Sequence, residues 1–388
     1  MFPYKGDFPT EKFAALATPF YYYDTALLRR TVETAAAAAG RYGYRIHFAV
    51  KANANARLLR LIAESGFGAD CVSGGEVRAA LSAGFRPESI VFAGVGKADW
   101  EIDLGLTEGI FCFNVESAAE LAVINALAAA KGKRADVALR INPDVDAHTH
   151  AKITTGKREN KFGINLSLLP GVLEEMKGMK HVRLTGIHSH IGSQITDMSP
   201  FRDLAVRLNE VQDIIEAQGV EVRHINVGGG LGVEYYHPNH IPVPAFDDYF
   251  AAFHKLLRLR PGQEVHFEPG RSIVAQCGSL ISRTLYVKKG EVKQFAIMDA
   301  GFTDLLRPAM YDAYHRIENL SSNEKEEDYD VVGPICESSD VFGQDVRLNG
   351  VRRGDLLAFR SAGAYGEVMA SQYNCRQLPM AYFSDELR

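Results

Sequence analysis

A chain of 388 residues with 46% hydrophobic and 23% charged side chains has ample core, and its length predicts two domains, because single cores rarely grow beyond about 250–300 residues. A net charge of -5 and a pI near 6.2 argue against a nucleic-acid or anionic-membrane partner. No run approaches the ~18 apolar residues of a membrane span, and the opening Met1-Phe-Pro-Tyr-Lys-Gly-Asp7 lacks the basic and apolar regions of a signal peptide. The five cysteines (Cys71, Cys112, Cys277, Cys336 and Cys375) are scattered without CxxC spacing, which reads as reduced thiols in a cytoplasmic protein.

Pro19-Phe-Tyr-Tyr-Tyr-Asp24 is a strand-like run that precedes a long alternation. The strand-like runs are Ile46–Val50, Ala69–Val72, Ile90–Ala93, Ile110–Phe113, Val137–Ile141, Leu184–His188, Val222–Val227 and Val265–Glu268. Helical patterns accompany them at Thr25–Gly40, Arg57–Ser65, Gly75–Ala83, Lys97–Leu106, Ser117–Lys131, Ser167–Lys177, Pro200–Gln218 and Ala245–Leu259. Strands alternating with helices imply βαβ units and a parallel sheet. Eight units over residues 24–272 predict a (β/α)8 barrel, with an open doubly wound sheet as the alternative. The spacing breaks at Pro143–Phe162, a polar stretch expected to be a loop over the barrel mouth or a plain solvated insertion.

Residues 273–388 read as an all-β domain. Its expected strands are Ser279–Val287, Gln294–Met298, Val331–Cys336, Val346–Leu348 and Asp355–Ser361, with Ser321–Asp330 as a solvated acidic loop. The strand within residues 1–23 is expected to join this domain.

In a barrel of this class the chemistry sits at the C-terminal strand ends. Those ends carry Lys51; Asp70; Asn114 and Glu116; Arg140 and Asn142; His188 and His190; Gly228-Gly-Gly230; and Glu268-Pro-Gly270-Arg271. A strand-end lysine in apolar surroundings has a depressed pKa and suits Schiff-base chemistry. Three glycines let backbone N–H groups approach an anion, and Arg271 brings a fork that matches phosphate. A carboxylate at Glu268 suits a pyridinium nitrogen, or else an ion pair with Arg271. His188 and His190, two apart, would share a strand face. No carboxylate or thiol lies close enough in sequence to complete a metal site with them, so no metal is expected.

Together these residues resemble the barrel-type pyridoxal-phosphate-dependent decarboxylases. The resemblance runs through Phe48-Ala-Val-Lys-Ala-Asn53, Asp70-Cys-Val-Ser-Gly-Gly-Glu76, His188-Ser-His-Ile-Gly-Ser-Gln194, Gly228-Gly-Gly-Leu-Gly232, Glu268-Pro-Gly-Arg271, Arg307-Pro-Ala-Met-Tyr311, Gly333-Pro-Ile-Cys-Glu-Ser338 and Gly363-Ala-Tyr365. It implies pyridoxal 5'-phosphate as cofactor and Lys51 as its Schiff-base lysine. It implies a stacking role for His190, phosphate contacts from Ser193 and Gly230, and Glu268 at the pyridinium. Asp70, Gly270, Arg271 and Tyr365 complete the implied cofactor surroundings, supported by Glu76 and Arg140. The implied substrate is a small amino acid, with Arg271, Arg307 and Tyr311 at its distal carboxylate and Glu337 at its amine, and with Tyr365 close by. Cys336 is the implied proton donor, reaching across a homodimer with shared active sites. A free thiol, with pKa about 8.5, is mostly protonated at pH 7 and can donate.

Arg307 and Glu337 together favour the branch of the family that acts on meso-2,6-diaminopimelate, releasing L-lysine and CO2, the last step of lysine biosynthesis. Related decarboxylases of ornithine, arginine or carboxynorspermidine are the alternative; the ornithine-directed ones lack an arginine equivalent to Arg307. An amino-acid racemase on the same barrel would lack the Cys336-Glu-Ser338 motif. A non-catalytic cofactor carrier would resemble the barrel alone. The sequence departs from the family's pattern at Phe302 and Thr303, and at Glu367.

Overall fold

Residues 5–145 and 161–387 are described by the computed structural model, so most of the expected 143–162 loop lies outside the described residues. The chain divides into two units. One comprises Val32–Gly232 and Ala245–Gly270; the other comprises Met1–Thr31, Val233–Pro244 and Arg271–Arg388.

After β1 (Phe20–Tyr23), which belongs to the second unit, the strands of the first unit follow. They are β2 (Arg45–Ala49), β3 (Gly68–Cys71), β4 (Ile90–Phe92), β5 (Cys112–Val115), β6 (Ala135–Asn142) with a two-residue companion β7 (Ile164–Asn165), β8 (Val182–His188), β9 (His224–Asn226) and β10 (Glu264–Phe267). Their order is β5-β4-β3-β2-β10-β9-β8-β6, and pairing of β5 with β6 closes the ring. Every pairing in it is parallel. This is the expected (β/α)8 barrel. Strands covered on both faces explain why β3, β4, β5 and β9 are buried at every residue, Asp70, Asn114 and Asn226 included.

Three imidazoles fill part of the barrel interior. His47 on β2 places Nε2 2.9 Å from Nδ1 of His266 on β10, and the His224 ring on β9 lies 5.1 Å from that of His266. All three are buried, beside Phe111. Burial keeps them neutral: it drives the His47 pKa down to about 3 and lowers those of His224 and His266.

The second unit is built on β11 (Gly278–Lys289), β12 (Gln294–Met298), β13 (Ile317–Asn319), β14 (Glu326–Val332), β15 (Val341–Asn349), β16 (Leu356–Phe359) and β17 (Met380–Phe383). The sheet runs β13-β16-β11-β12-β14-β15, and β1 pairs antiparallel with β11 and parallel with β17. Phe13, Phe20, Tyr22, Ile281, Leu356 and Ala358 form its buried core.

Two expectations for this unit fail. The acidic stretch Ser321–Asp330 is not all loop, since Glu326–Asp330 lies in β14, paired with both β12 and β15. Its charges are met across the sheet: Asp328 by Arg347 at 3.2 Å, and Asp330 by Lys293 at 3.0 Å. The strand expected at Val331–Cys336 stops at Val332, because Gly333 and Pro334 follow and proline has no N–H for the ladder. Cys336 and Glu337 lie instead in a turn around Asp340, whose carboxylate accepts from the N–H groups of Ile335 at 2.7 Å and Phe302 at 2.6 Å.

Candidate active site

In the barrel unit, Lys51 follows β2 in the short 3-10 turn Val50–Ala52, and Asp70 lies on β3 beside it. Lys51 Nζ stands 3.2 Å from Asp70 Oδ2. The expected apolar surroundings are not what the lysine meets: its side chain is 39% exposed and its ammonium is ion-paired. Burial raises the pKa of Asp70, and the charge of Glu268 adds to this, while Lys51 opposes both. Asp70 Oδ1 is buried without a hydrogen-bond partner among the described residues. Glu76 at the start of helix Gly74–Ala83 accepts from Val72 N–H at 2.8 Å, and burial pushes its pKa up to about 7.

Glu268, at the end of β10, is buried and held by three donors. Asn226 Nδ2 donates to Oε1 at 2.6 Å and Asn114 Nδ2 at 3.2 Å, while His188 Nε2 meets Oε2 at 3.0 Å. Burial alone would raise its pKa, but the His188 contact and the Lys51 charge hold it well below the usual carboxylate range. Glu268 is therefore an ionised carboxylate that uses His188 and two amides, rather than the simple Arg271 pair weighed from sequence. His188 Nδ1 is buried and unpartnered among the described residues.

β8 ends at His188, so the strand alternation expected to align His188 with His190 does not reach the second histidine. His188 turns to Glu268, whereas His190 Nδ1 accepts from Gly229 N–H at 3.2 Å. Burial and the cations Lys51 and Arg140 keep His190 neutral. Ser193 lies in the same segment, half-buried.

The glycines are steric requirements. Gly228 has φ +71° and Gly230 φ +117°, both unfavourable for a side chain. A Cβ on Gly228 would meet Ser189 O at 2.4 Å, and one on Gly229 would meet Glu268 O at 2.2 Å. Gly270 packs on Ala49 and Ala52, whose Cβ atoms would each lie 3.0 Å from a Cβ placed there. Behind the strand ends, Arg140 pairs with Glu116 at 2.6 Å.

The second unit gathers a different set. Arg271 opens the short helix Arg271–Val274, donates to Tyr235 Oη at 2.7 Å and lies 4.9 Å over the Tyr365 ring. Arg307, in Arg307–Tyr311, lies 5.1 Å over the Tyr235 ring, with Nη1 2.8 Å from His315 Nε2. Burial and Arg307 lower the His315 pKa to about 3, so this imidazole accepts from the guanidinium and gives its Nδ1 hydrogen to Arg360 O. Burial works to raise the Tyr235 pKa, yet the two arginines pull it below its ordinary value. Among the described residues Arg307 has no carboxylate partner. Cys336 is exposed, with its N–H 3.4 Å from Asn374 Oδ1; Glu337 accepts from Tyr373 Oη at 2.8 Å.

Sequence reasoning missed Asn226, Tyr235 and His315. Asn226 could have been found, since it closes a strand just before the triple glycine. Tyr235 and His315 carry no local signal.

The residues at the barrel's strand ends fit pyridoxal phosphate. Buried Asp70 Oδ1 and His188 Nδ1 lack partners, Glu268 offers a fixed anion for a pyridinium N–H, and the glycine turn has no room for side chains. A parallel barrel with such a set at its strand ends defines a barrel-borne, cofactor-dependent enzyme of amino-acid chemistry.

Residues 26–275 match the family model described as "Pyridoxal-dependent decarboxylase, pyridoxal binding domain". The diaminopimelate decarboxylase of Bacteroides thetaiotaomicron is 62% identical over 384 residues, covering 99% of this chain and 100% of that protein. The Vibrio cholerae protein of the same name is 44% identical over 360 residues, 92% of this chain and 85% of its own. The crystal structure of diaminopimelate decarboxylase from Helicobacter pylori complexed with L-lysine superposes with a TM-score of 0.91 at 39% identity, covering 97% of this chain and 94% of that one. The chain belongs to the diaminopimelate decarboxylase branch of the pyridoxal-dependent decarboxylases. No helix among the described residues is long and apolar enough to cross a membrane.

Proposed function

We propose that this chain removes one carboxylate of meso-2,6-diaminopimelate as CO2 and releases L-lysine, using pyridoxal 5'-phosphate. The observation that carries the substrate reading is Arg307: a buried guanidinium held by a neutral histidine and lacking a carboxylate among the described residues. A substrate with a second, unreactive carboxylate supplies that partner; a diamine precursor such as ornithine does not.

Lys51, whose Nζ lies 3.2 Å from Asp70 Oδ2, would hold the cofactor through its aldehyde group. Glu268, kept ionised, would hold a proton on the cofactor's ring nitrogen. His190, neutral and packed on the glycine turn, presents a flat ring for stacking. Ser193, Gly230 and Gly270 would take the phosphate end, and Tyr365, whose own ring lies under Arg271, would add a contact to the cofactor. When bound, pyridoxal phosphate supplies an electron sink for the pair left behind by departing CO2. Arg271, Arg307 and Tyr311 hold the distal carboxylate, and Glu337 the distal amine. The Cys336 thiol delivers the proton that replaces CO2, and it does so in the site of a second subunit of a homodimer. We place the enzyme in the cytoplasm, in keeping with five unbridged cysteines.

The test is to offer the purified protein, with pyridoxal phosphate, a panel of diamino acids and to measure CO2 release. Release from diaminopimelate well above that from ornithine, arginine and carboxynorspermidine is expected. Preference for any of the others overturns the substrate assignment.

A further inference from the structure

Lys97 has no role in the reading above. It lies between β4 and helix Asp99–Glu108, and its ammonium is almost wholly buried, with 1% of the side chain exposed. Nζ donates to the carbonyls of Gly94 and Asn114, each at 2.9 Å, and to Glu120 Oε1 at 2.5 Å. Three donors meet three acceptors, so the group is saturated. A lysine used this way is not simply a buried charge neutralised by a carboxylate. Two of its three bonds go to main-chain carbonyls of neighbouring strand segments: Gly94, two residues past β4, and Asn114, within β5.

One of those carbonyls belongs to Asn114, whose side chain donates to Glu268 Oε1 at 3.2 Å. The Asn114 amide is itself oriented from behind, because Cys112 Sγ donates to its Oδ1 at 3.6 Å, leaving Nδ2 to face Glu268. On its other side Glu120 accepts from Glu116 N–H at 2.7 Å, and Glu116 holds Arg140. Lys97 thus ties down a main-chain atom of the residue whose side chain grips the buried carboxylate.

We propose that Lys97 is a positioning residue for Glu268, acting through Asn114, so that it governs how firmly the protein holds its cofactor although its own hydrogen bonds go to Gly94, Asn114 and Glu120. This rests on the reading of Glu268 as the partner of the cofactor's ring nitrogen. A purely structural Lys97 would affect only the stability of the fold. A positioning Lys97 affects cofactor affinity and turnover in protein that remains folded, and its effect vanishes once Asn114 no longer reaches Glu268.

The experiment uses full-length protein in five forms: wild type, Lys97→Met, Asn114→Ala, the Lys97→Met/Asn114→Ala double variant, and a fifth that also changes Glu120. Glu120 would be left buried without its cation, and burial already raises its pKa. Lys97→Met/Glu120→Gln is therefore included as a form expected to fold even where Lys97→Met does not. The readouts are the dissociation constant for pyridoxal phosphate by absorbance titration, the melting temperature of the cofactor-free protein, and kcat and KM. Loss of one hydrogen bond to a charged group should weaken cofactor binding about tenfold in each single variant. The double variant should be no weaker than either single one, and kcat should fall with little change in KM. A lower melting temperature with unchanged cofactor affinity overturns the proposal, and so do additive effects in the double variant. Wild-type protein that takes up no pyridoxal phosphate overturns the proposed function and this inference with it; uptake by wild type and by the Lys97 variants alike overturns this inference alone.

Discussion

Lys51 Nζ lies 3.2 Å from Asp70 Oδ2, while Asp70 Oδ1 is buried with no partner among the described residues. One oxygen holds the amine and the other is left over, in a place where an unsatisfied polar atom costs about 1–3 kcal/mol. The pair is complete only when something else brings a donor. Lys51→Ala should abolish the visible absorbance of the cofactor-loaded protein and its covalent trapping by borohydride, since none of the other proposed site residues is a lysine. A yellow, trappable Lys51→Ala protein would show that another amine does this work.

Arg307→Ala should spare cofactor binding and damage turnover of diaminopimelate. Removing the partner of a desolvated carboxylate costs roughly 2–5 kcal/mol, or about 30- to 5,000-fold in kcat/KM. Steady-state kinetics beside a cofactor titration checks this; an unchanged kcat/KM would assign the distal carboxylate to a different residue.

Cys336 and Lys51 should act in one site from two subunits. Inactive Lys51→Ala and inactive Cys336→Ala proteins, mixed and allowed to exchange, form mixed dimers in about half of the pairings, each with one intact site. About a quarter of wild-type activity should return. Zero activity despite demonstrated exchange means that both residues serve the site from a single chain.

The buried imidazoles of His47, His224 and His266 should make the fold acid-sensitive. Burial depresses their folded pKa values, to about 3 for His47, while the unfolded chain restores the ordinary value near ~6.5. On acidification the unfolded chain takes up protons that the folded one refuses. The stability they allow is full above that pH and is lost as pH falls toward the folded values. Each histidine contributes up to about 1.4 kcal/mol per pH unit in the window. Urea midpoints between pH 7 and pH 5 should fall accordingly, and His224→Met should flatten the slope by about one histidine's share. An identical slope in the variant rules this origin out.

The barrel was legible because parallel strands covered on both faces are short apolar runs. Each of these runs was followed by polar or glycine residues that a closed barrel collects at one end. Asp70, His190 and Glu268 stood out for that reason. What sequence hid is what side chains do once collected. Strand alternation suggested that His188 and His190 point the same way, but the strand stops at His188. The run before Lys51 implies an apolar wall around it, yet its partner is Asp70. In the second unit, the acidic run before Val331 concealed β14, because its charges are neutralised by Arg347 and Lys293, far from it in sequence. β13 and β17, of three and four residues, are too short to show a period. Tyr235 and His315 acquire meaning only beside Arg271 and Arg307.

β1 is the seam of the second unit: Phe20 pairs with Ile281 on one side and with Met380 on the other. Phe20 is made well before Ile281, and Ile281 well before Met380, so during synthesis an aromatic strand waits with an open hydrogen-bonding side. Contacts this distant in sequence are slow to form, and exposed strand edges invite pairing with other chains. The barrel's strands are complete by Phe267, whereas the second unit closes only when its last strand arrives. A chain cut short of Met380 leaves β1 without its β17 partner, and should aggregate rather than persist as a soluble half.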